Sequence, residues 1–317
     1  MSRDKAQPEP EVVDFINASD AVFTAAFDAL PIAEQRAVYD RFWQRFNAPR
    51  PAGVTVDDIT LPGPGGPLRA LLYRPEGAAG LVPAIAYFHG GGWTLGSPES
   101  HDIATSRLSA QTGAAVLSLD YRLSPEHRFP DALMDCRASL DWLVQEGPRF
   151  GLDPDRIAVA GDSAGANLAA ALCLWVRDHG GPKIQFQALI YPMLTCPVEP
   201  GNSGGVSPES VSQYLRAYFG GRALCNDPYA MPLSAKSLEN VPPAYIATAS
   251  LDPIMLHGER YAERLRHAGI PCDYSCGSGL PHTYLRVLHQ SRQAAAEFAA
   301  LCTAAKHALT PNLVRAI

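Results

Sequence analysis

The feature that most restricts this chain is a regular alternation of short, mostly apolar runs with stretches of helical periodicity. The runs lie at residues 84–88, 115–119, 157–160 and 186–191, and helical patterns at about 101–112, 130–146 and 164–178 separate them. A strand with one wet face would alternate apolar with polar residues. These runs are apolar on both faces, so both must be covered, as in a parallel sheet with crossover helices. Residues 244–249 and 272–276 extend the series, with a helix at about 258–268 between them and an Ala-rich helical stretch at 289–308. Ahead of the series, 54–61 and 68–73 do alternate, around a Gly/Pro turn at 63–66, and read as an antiparallel pair. The expectation is an α/β chain with a mostly parallel, eight-stranded sheet and helices on both faces.

Two segments stand outside this scheme. Residues 1–50 are helical in pattern, with Ala21, Val22, Ala25, Ala26, Leu30, Val38, Phe42 and Phe46 at three-to-four spacing, and the prolines of 48–53 end it. Residues 196–224 interrupt the alternation with a Pro/Gly/Ser-rich stretch and a modest helix from Pro208 to Phe219, an insertion expected above the sheet. The division expected is a helical segment at 1–50 and a catalytic domain at 51–317 carrying the insertion at about 196–224.

The balance of 26 basic and 32 acidic residues argues against nucleic acid as a partner, because phosphate binding needs an electropositive face. The seven cysteines are odd in number and scattered, unlike a disulfide framework, which favours a reducing compartment. Cys272 and Cys276 have no second pair at ligand spacing, so no metal is expected. The polar, Pro-containing start lacks the apolar core of a signal peptide, and no stretch of about 18 apolar residues occurs. A cytoplasmic protein with no membrane insertion is expected. Nothing fixes the oligomeric state, and a homodimer stays open.

Two sites match G-x-S-x-G, centred on Ser163 and Ser203. The motif makes a nucleophile elbow only between a strand and a helix, where the strained turn lifts the serine above the sheet edge. Residues 157–160 supply that strand and 166–172 that helix for Ser163, with Asp162 beside it; prolines 197 and 200 flank Ser203, with no apolar run on either side. His89-Gly90-Gly91-Gly92 directly follows the apolar run 84–88. Successive glycines let backbone N–H groups approach a developing oxyanion, and the N–H of Ala164 would add a donor at a helix start. His89 is better suited to holding this loop by hydrogen bonds than to catalysis.

A serine nucleophile needs a base and an orienting carboxylate. Six histidines follow Ser163: residues 179, 257, 267, 282, 289 and 307. His179 reads as a helix-terminal cation, and four others lie on helices or their flanks. His282 alone sits in a loop after a strand, where its imidazole can reach over the sheet edge. Asp252, just after the run 244–249 and before Pro253, is the preferred acid. Asp227, with no strand before it, and Asp273, within a strand, are its rivals.

The stretches Tyr87–Trp93 and Ser118–Pro130 and the motif at 161–165 together resemble the hormone-sensitive-lipase-like esterases of the α/β-hydrolase superfamily, from about residue 55 to the end. The resemblance implies an α/β-hydrolase fold and a cofactor-free serine carboxylesterase with Ser163, Asp252 and His282 as its triad. It implies an oxyanion hole from the N–H groups of Gly90, Gly91 and Ala164, with His89, Gly92 and Asp162 structural beside it. It further implies a cap built from residues 1–50 and 196–224, and a scaffold role for Asp120, Arg122 and Glu126. The chain departs from the family in two places. Met255-Leu256-His257 stands where an acidic pair is common, and Thr283-Tyr284 where glycine and phenylalanine follow the histidine. The expected partner is a small-molecule ester of short to medium acyl chain. The rivals are an arylformamidase-type amide hydrolase on the same triad and a non-catalytic binding protein on this fold.

Overall fold

The computed structural model describes residues 7–78, 80–196 and 206–310. Its eight strands are β1 (Val54–Gly63), β2 (Gly66–Pro75), β3 (Val82–Phe88), β4 (Ala115–Leu119), β5 (Leu152–Asp162), β6 (Phe186–Ile190), β7 (Ala244–Ala249) and β8 (Cys272–Gly277). They form one sheet in the order β1-β2-β4-β3-β5-β6-β7-β8, in which β2 runs antiparallel to both its neighbours and the rest are parallel. Because β4 lies outside β3, the chain steps one way from β3 to β4 and back the other way to β5. That reversal opens a crevice at the C-terminal ends of β3 and β5, the usual place for a ligand in such sheets.

Successive residues of the central strands serve opposite cores. Ala84, Ala86 and Phe88 face one, with Leu117 and Val159; Ile85 and Tyr87 face the other, with Val116, Ala158 and Ala160. The first core is closed by α5 (Asp131–Gln145), α6 (Ala164–His179) and α8 (Met255–His267), the second by α4 (Asp102–Thr112) and α9 (Arg292–Leu309). This double burial is why the runs read as continuously apolar. Among the described residues no helix is long and apolar enough to cross a membrane.

Residues 10–44 fold as α1 (Pro10–Asp20), a short α2 (Ala25–Asp28) and α3 (Ile32–Gln44). Their packing differs from the apolar spacing of the sequence. Ala21, Ala25 and Ala26 are exposed, and the contacts come from Val12, Phe15, Phe27, Tyr39, Phe42 and Trp43. Phe42 and Trp43 meet edge to face with centroids 4.7 Å apart, and Phe15 and Phe23 join them. Rings bury far more area than alanine methyls, so they decide which face turns inward. Arg36 on α3 then ties this layer to the sheet-edge loops, donating to the Thr94 carbonyl (2.9 Å) and pairing with Glu126 (2.7 Å).

The insertion carries α7 (Pro208–Phe219), capped by Ser207 and Ser210, with Tyr218 stacked flat on Trp93 at 4.4 Å. Cys196 and Cys225 are joined by a disulfide at its base, a correction to the sequence reading, which set disulfides aside. The two cysteines are 29 residues apart, and only the folding back of the insertion brings them together. Ser203 and the second G-x-S-x-G match lie outside the described residues.

Candidate active site

Ser163 sits between the end of β5 and the start of α6 with φ 54° and ψ −116°, a left-handed backbone that a side chain rarely adopts. Close approach of the two backbones maintains it. A Cβ on Gly165 would lie 1.9 Å from the Phe88 carbonyl oxygen, and one on Gly161 would lie 2.5 Å from the Gly165 carbonyl carbon. Both outer glycines of the motif are therefore required by space. The Ser163 N–H donates to the Ile190 carbonyl (2.9 Å), fixing the turn against β6.

The Ser163 hydroxyl lies 2.9 Å from Nε2 of His282, and Nδ1 of the same ring lies 2.7 Å from Oδ2 of Asp252. His282 and Asp252 follow β8 and β7, so the structure brings all three to one edge of the sheet. Asp252 is 6% exposed, and its Oδ1 accepts the Ile254 N–H (2.9 Å), which leaves Oδ2 for the histidine. The rival carboxylates serve elsewhere: Asp227 accepts the Tyr229 N–H, and Asp273 lies within β8 opposite Tyr245. A hydroxyl bonded to an imidazole that is itself held by a buried carboxylate can lose its proton during attack on a carbonyl.

The glycine loop departs from expectation at one position. The Gly90 N–H donates to Oδ1 of Asp162 (3.0 Å), with Nε2 of His101 at 3.2 Å, so it is already engaged and is withdrawn as an oxyanion donor. Gly91 and Gly92 line the cavity beside Ser163, and among the described residues no acceptor takes either N–H. The Ala164 N–H, at the first position of α6, has no partner within its helix. Gly92 has φ 60°, and a Cβ there would lie 2.4 Å from the Tyr214 ring, so α7 packs directly on this loop. His89 packs within the loop, its Nδ1 2.8 Å from the Gly90 carbonyl oxygen. Its ring stacks on Tyr121, whose hydroxyl donates to the His89 carbonyl (2.7 Å). Burial and the neighbouring His101 push its pKa down to about 3, so it stays neutral.

Asp162 anchors a buried polar group that sequence reasoning missed. Its Oδ1 also accepts the Tyr87 hydroxyl (2.7 Å). Burial pushes its carboxyl up, but the polar and charged groups around it, the Arg286 guanidinium and the Tyr87 hydroxyl among them, more than reverse this and hold it well below the usual carboxylate range. Arg286, four residues past His282 and 2% exposed, donates from Nη2 to Nε2 of His101 (2.8 Å). A guanidinium has only donors, so that nitrogen is the acceptor and the ring proton sits on Nδ1, near the Ser97 carbonyl (3.2 Å). Burial and the facing Arg286 keep His101 neutral.

The departures from the family also find their places. His257 is buried and accepts the Leu194 N–H (3.3 Å) at the root of the insertion, with burial pushing its pKa down to about 4. Thr283 has φ 64°, a conformation in which glycine is unstrained and a β-branched residue is not. Of the scaffold segment, Arg122 pairs with the buried Asp135 (2.7 Å) and Asp120 lies 3.9 Å from Arg69, its carboxyl pushed up to about 6 by burial.

A cavity with an empty volume of about 690 Å³, counting its open mouth, rises from Ser163. Phe23, Tyr39 and Trp43 wall one side, and Val206, Val211 and Tyr214 of the insertion another.

The sequence matches the family described as alpha/beta hydrolase fold over residues 85–286. It is 36% identical to esterase LipI of Mycobacterium tuberculosis over 282 residues, which cover 84% of this chain and 88% of that protein. It is 35% identical to an arylesterase of Saccharolobus solfataricus, covering 68% of this chain and 73% of the other. Among solved structures, a hyperthermophilic esterase of the archaeon Pyrobaculum calidifontis superposes with a TM-score of 0.88 at 32% identity, covering 96% of this chain and 100% of that one. The chain belongs to the hormone-sensitive-lipase-like esterases of the α/β-hydrolase superfamily, a family of carboxylic ester hydrolases.

Proposed function

We propose that the protein hydrolyses carboxylic esters of short to medium acyl chain, with Ser163 as nucleophile, His282 as base and Asp252 as the carboxylate that orients it. The Ser163 oxygen bonds to the ester carbonyl carbon while its proton passes to Nε2 of His282. The negative charge on the former carbonyl oxygen is met by the N–H groups of Gly91, Gly92 and Ala164, a set revised from that suggested by sequence. Collapse returns the proton to the departing alcohol and leaves an acyl-serine. Water, deprotonated by His282, then releases the acid and restores the serine. The observation that carries this reading is the hydrogen-bonded chain from Ser163 through His282 to Asp252, at 2.9 and 2.7 Å, beneath an apolar cavity.

The aromatic walls at Phe23, Tyr39, Trp43 and Tyr214 support a limit on acyl length. Each added CH₂ is worth about 0.8 kcal/mol while it finds apolar surface and nothing once it projects into water. For p-nitrophenyl esters of two to sixteen carbons, kcat/KM is expected to rise from acetyl, peak by about hexanoyl and then fall. A maximum at dodecanoyl or beyond would contradict the length assignment. An aryl formamide turned over faster than its matched ester would move the activity to amide hydrolysis on the same residues.

A further inference from the structure

Arg286 belongs neither to the hydrogen-bonded chain at Ser163 nor to the cavity wall, yet it is a fully buried cation within reach of three separate parts of the site. It lies on the 3-10 turn Tyr284–Val287, directly after the loop that carries His282. Its Nη2 donates to His101 at 2.8 Å, and His101 lies within 3.2 Å of the Gly90 N–H at the root of the glycine loop. Its guanidinium carbon stands 4.6 Å from the ring centroid of Trp43 on α3. Burying an uncompensated cation is strongly unfavourable, so a cation here must be balanced by its surroundings. Asp162 provides the opposite charge, through the same group of hydrogen bonds.

We propose that Arg286 is a positioning residue for the oxyanion loop: through His101 it fixes the backbone at Gly90, and through the Trp43 ring it makes that geometry depend on the seating of the N-terminal helices. This rests on the reading of Gly91 and Gly92 as oxyanion donors. A donor held in place before the charge develops stabilises the transition state without reorganising, so a loosened loop lowers kcat more than substrate affinity. Arg286 also contributes to keeping Asp162 ionised as the acceptor for Gly90. The titratable groups that face Asp162 include Tyr87 of β3, His89 after it, His101 before α4, Tyr121 after β4, Tyr191 after β6, Tyr39 of α3, Tyr284 and Arg286 itself, while Asp40 of α3 faces Arg286. Arg286 is the permanent cation of this set.

The test compares Arg286→Met and Arg286→Lys with wild type on p-nitrophenyl butyrate, with melting curves alongside. Arg286→Met is expected to fold, to keep KM within about threefold and to lower kcat by about 10- to 100-fold, less than outright loss of a donor. Arg286→Lys keeps the charge without the planar fork, so it is expected to restore only part of kcat. A folded Arg286→Met with wild-type kcat, or with a loss confined to KM, overturns the proposal. If Arg286→Met does not fold, Arg286→Lys decides: lowered kcat at retained KM supports the proposal, and wild-type kcat overturns it. Failure of both variants to fold overturns it in favour of a purely structural ion. Ser163→Ala in the same assay separates the two levels: activity surviving there refutes the nucleophile, whereas an inactive Ser163→Ala beside an unaffected Arg286→Met refutes only this inference.

Discussion

Ser163→Ala is expected to lower kcat for p-nitrophenyl butyrate by at least about 10⁴-fold while the melting temperature stays near that of wild type. The size of the loss follows from the geometry. The serine hydroxyl and His282 lie 2.9 Å apart, and in the proposed mechanism they act as one unit: without the hydroxyl the imidazole has no nucleophile to activate. What remains is carbonyl polarisation by the glycine loop, with bulk water as the attacking species. The side chain is small and faces the cavity, so its removal leaves no void in either core. Ser203→Ala, at the other G-x-S-x-G match, is expected to stay within a few-fold of wild type. Ester hydrolysis by Ser163→Ala at the wild-type rate would refute the assignment.

Asp252→Asn is expected to cost about 10⁴-fold in kcat with the fold intact. Oδ1 of Asp252 accepts a backbone N–H and Oδ2 faces Nδ1 of His282 at 2.7 Å. An asparagine that keeps the first bond through its carbonyl must turn its amide N–H₂ toward Nδ1. That orientation favours the tautomer with its proton on Nε2, which then cannot accept the serine proton. Nor does asparagine offset the positive charge that the ring gains during attack. Stopped-flow or steady-state kinetics with a melting curve would check both halves of the statement. A near-wild-type rate would pass the role to another carboxylate, although Asp227 and Asp273 are held away from His282 by their own elements.

How much of this was legible in the sequence depended on whether the cause was local. The sheet could be read because both of its faces are buried and each run carries its own evidence. The elbow could be read because strand, small residues and helix are contiguous around Ser163. The placement of His282 and Asp252 beside Ser163 could be read because each directly follows a strand at the same sheet edge. The engagement of the Gly90 N–H could not be read, because its partner, Asp162, is 72 residues away and becomes a neighbour only when β3 and β5 pair. The His101–Arg286 bond spans 185 residues and has no spacing signature at all. The Cys196–Cys225 bridge was obscured by counting cysteines, which says nothing of which two the insertion brings together. In the N-terminal helices the alanine spacing misled because aromatic rings, fewer but larger, set the buried face. Thr283 was legible as a departure from the family's glycine, and the structure adds that it occupies a backbone conformation suited to glycine.

The central claim is that one hydroxyl, at the β5–α6 turn, carries the acyl group. The most direct measurement is mass spectrometry of the whole protein and its peptides after reaction with diethyl p-nitrophenyl phosphate, which phosphorylates an activated serine and releases p-nitrophenolate. The account predicts one diethylphosphoryl group per chain, located on Ser163, formed in step with the loss of esterase activity and absent from Asp252→Asn over the same interval. A stoichiometric adduct on any other residue, or full loss of activity with Ser163 unmodified, would contradict it.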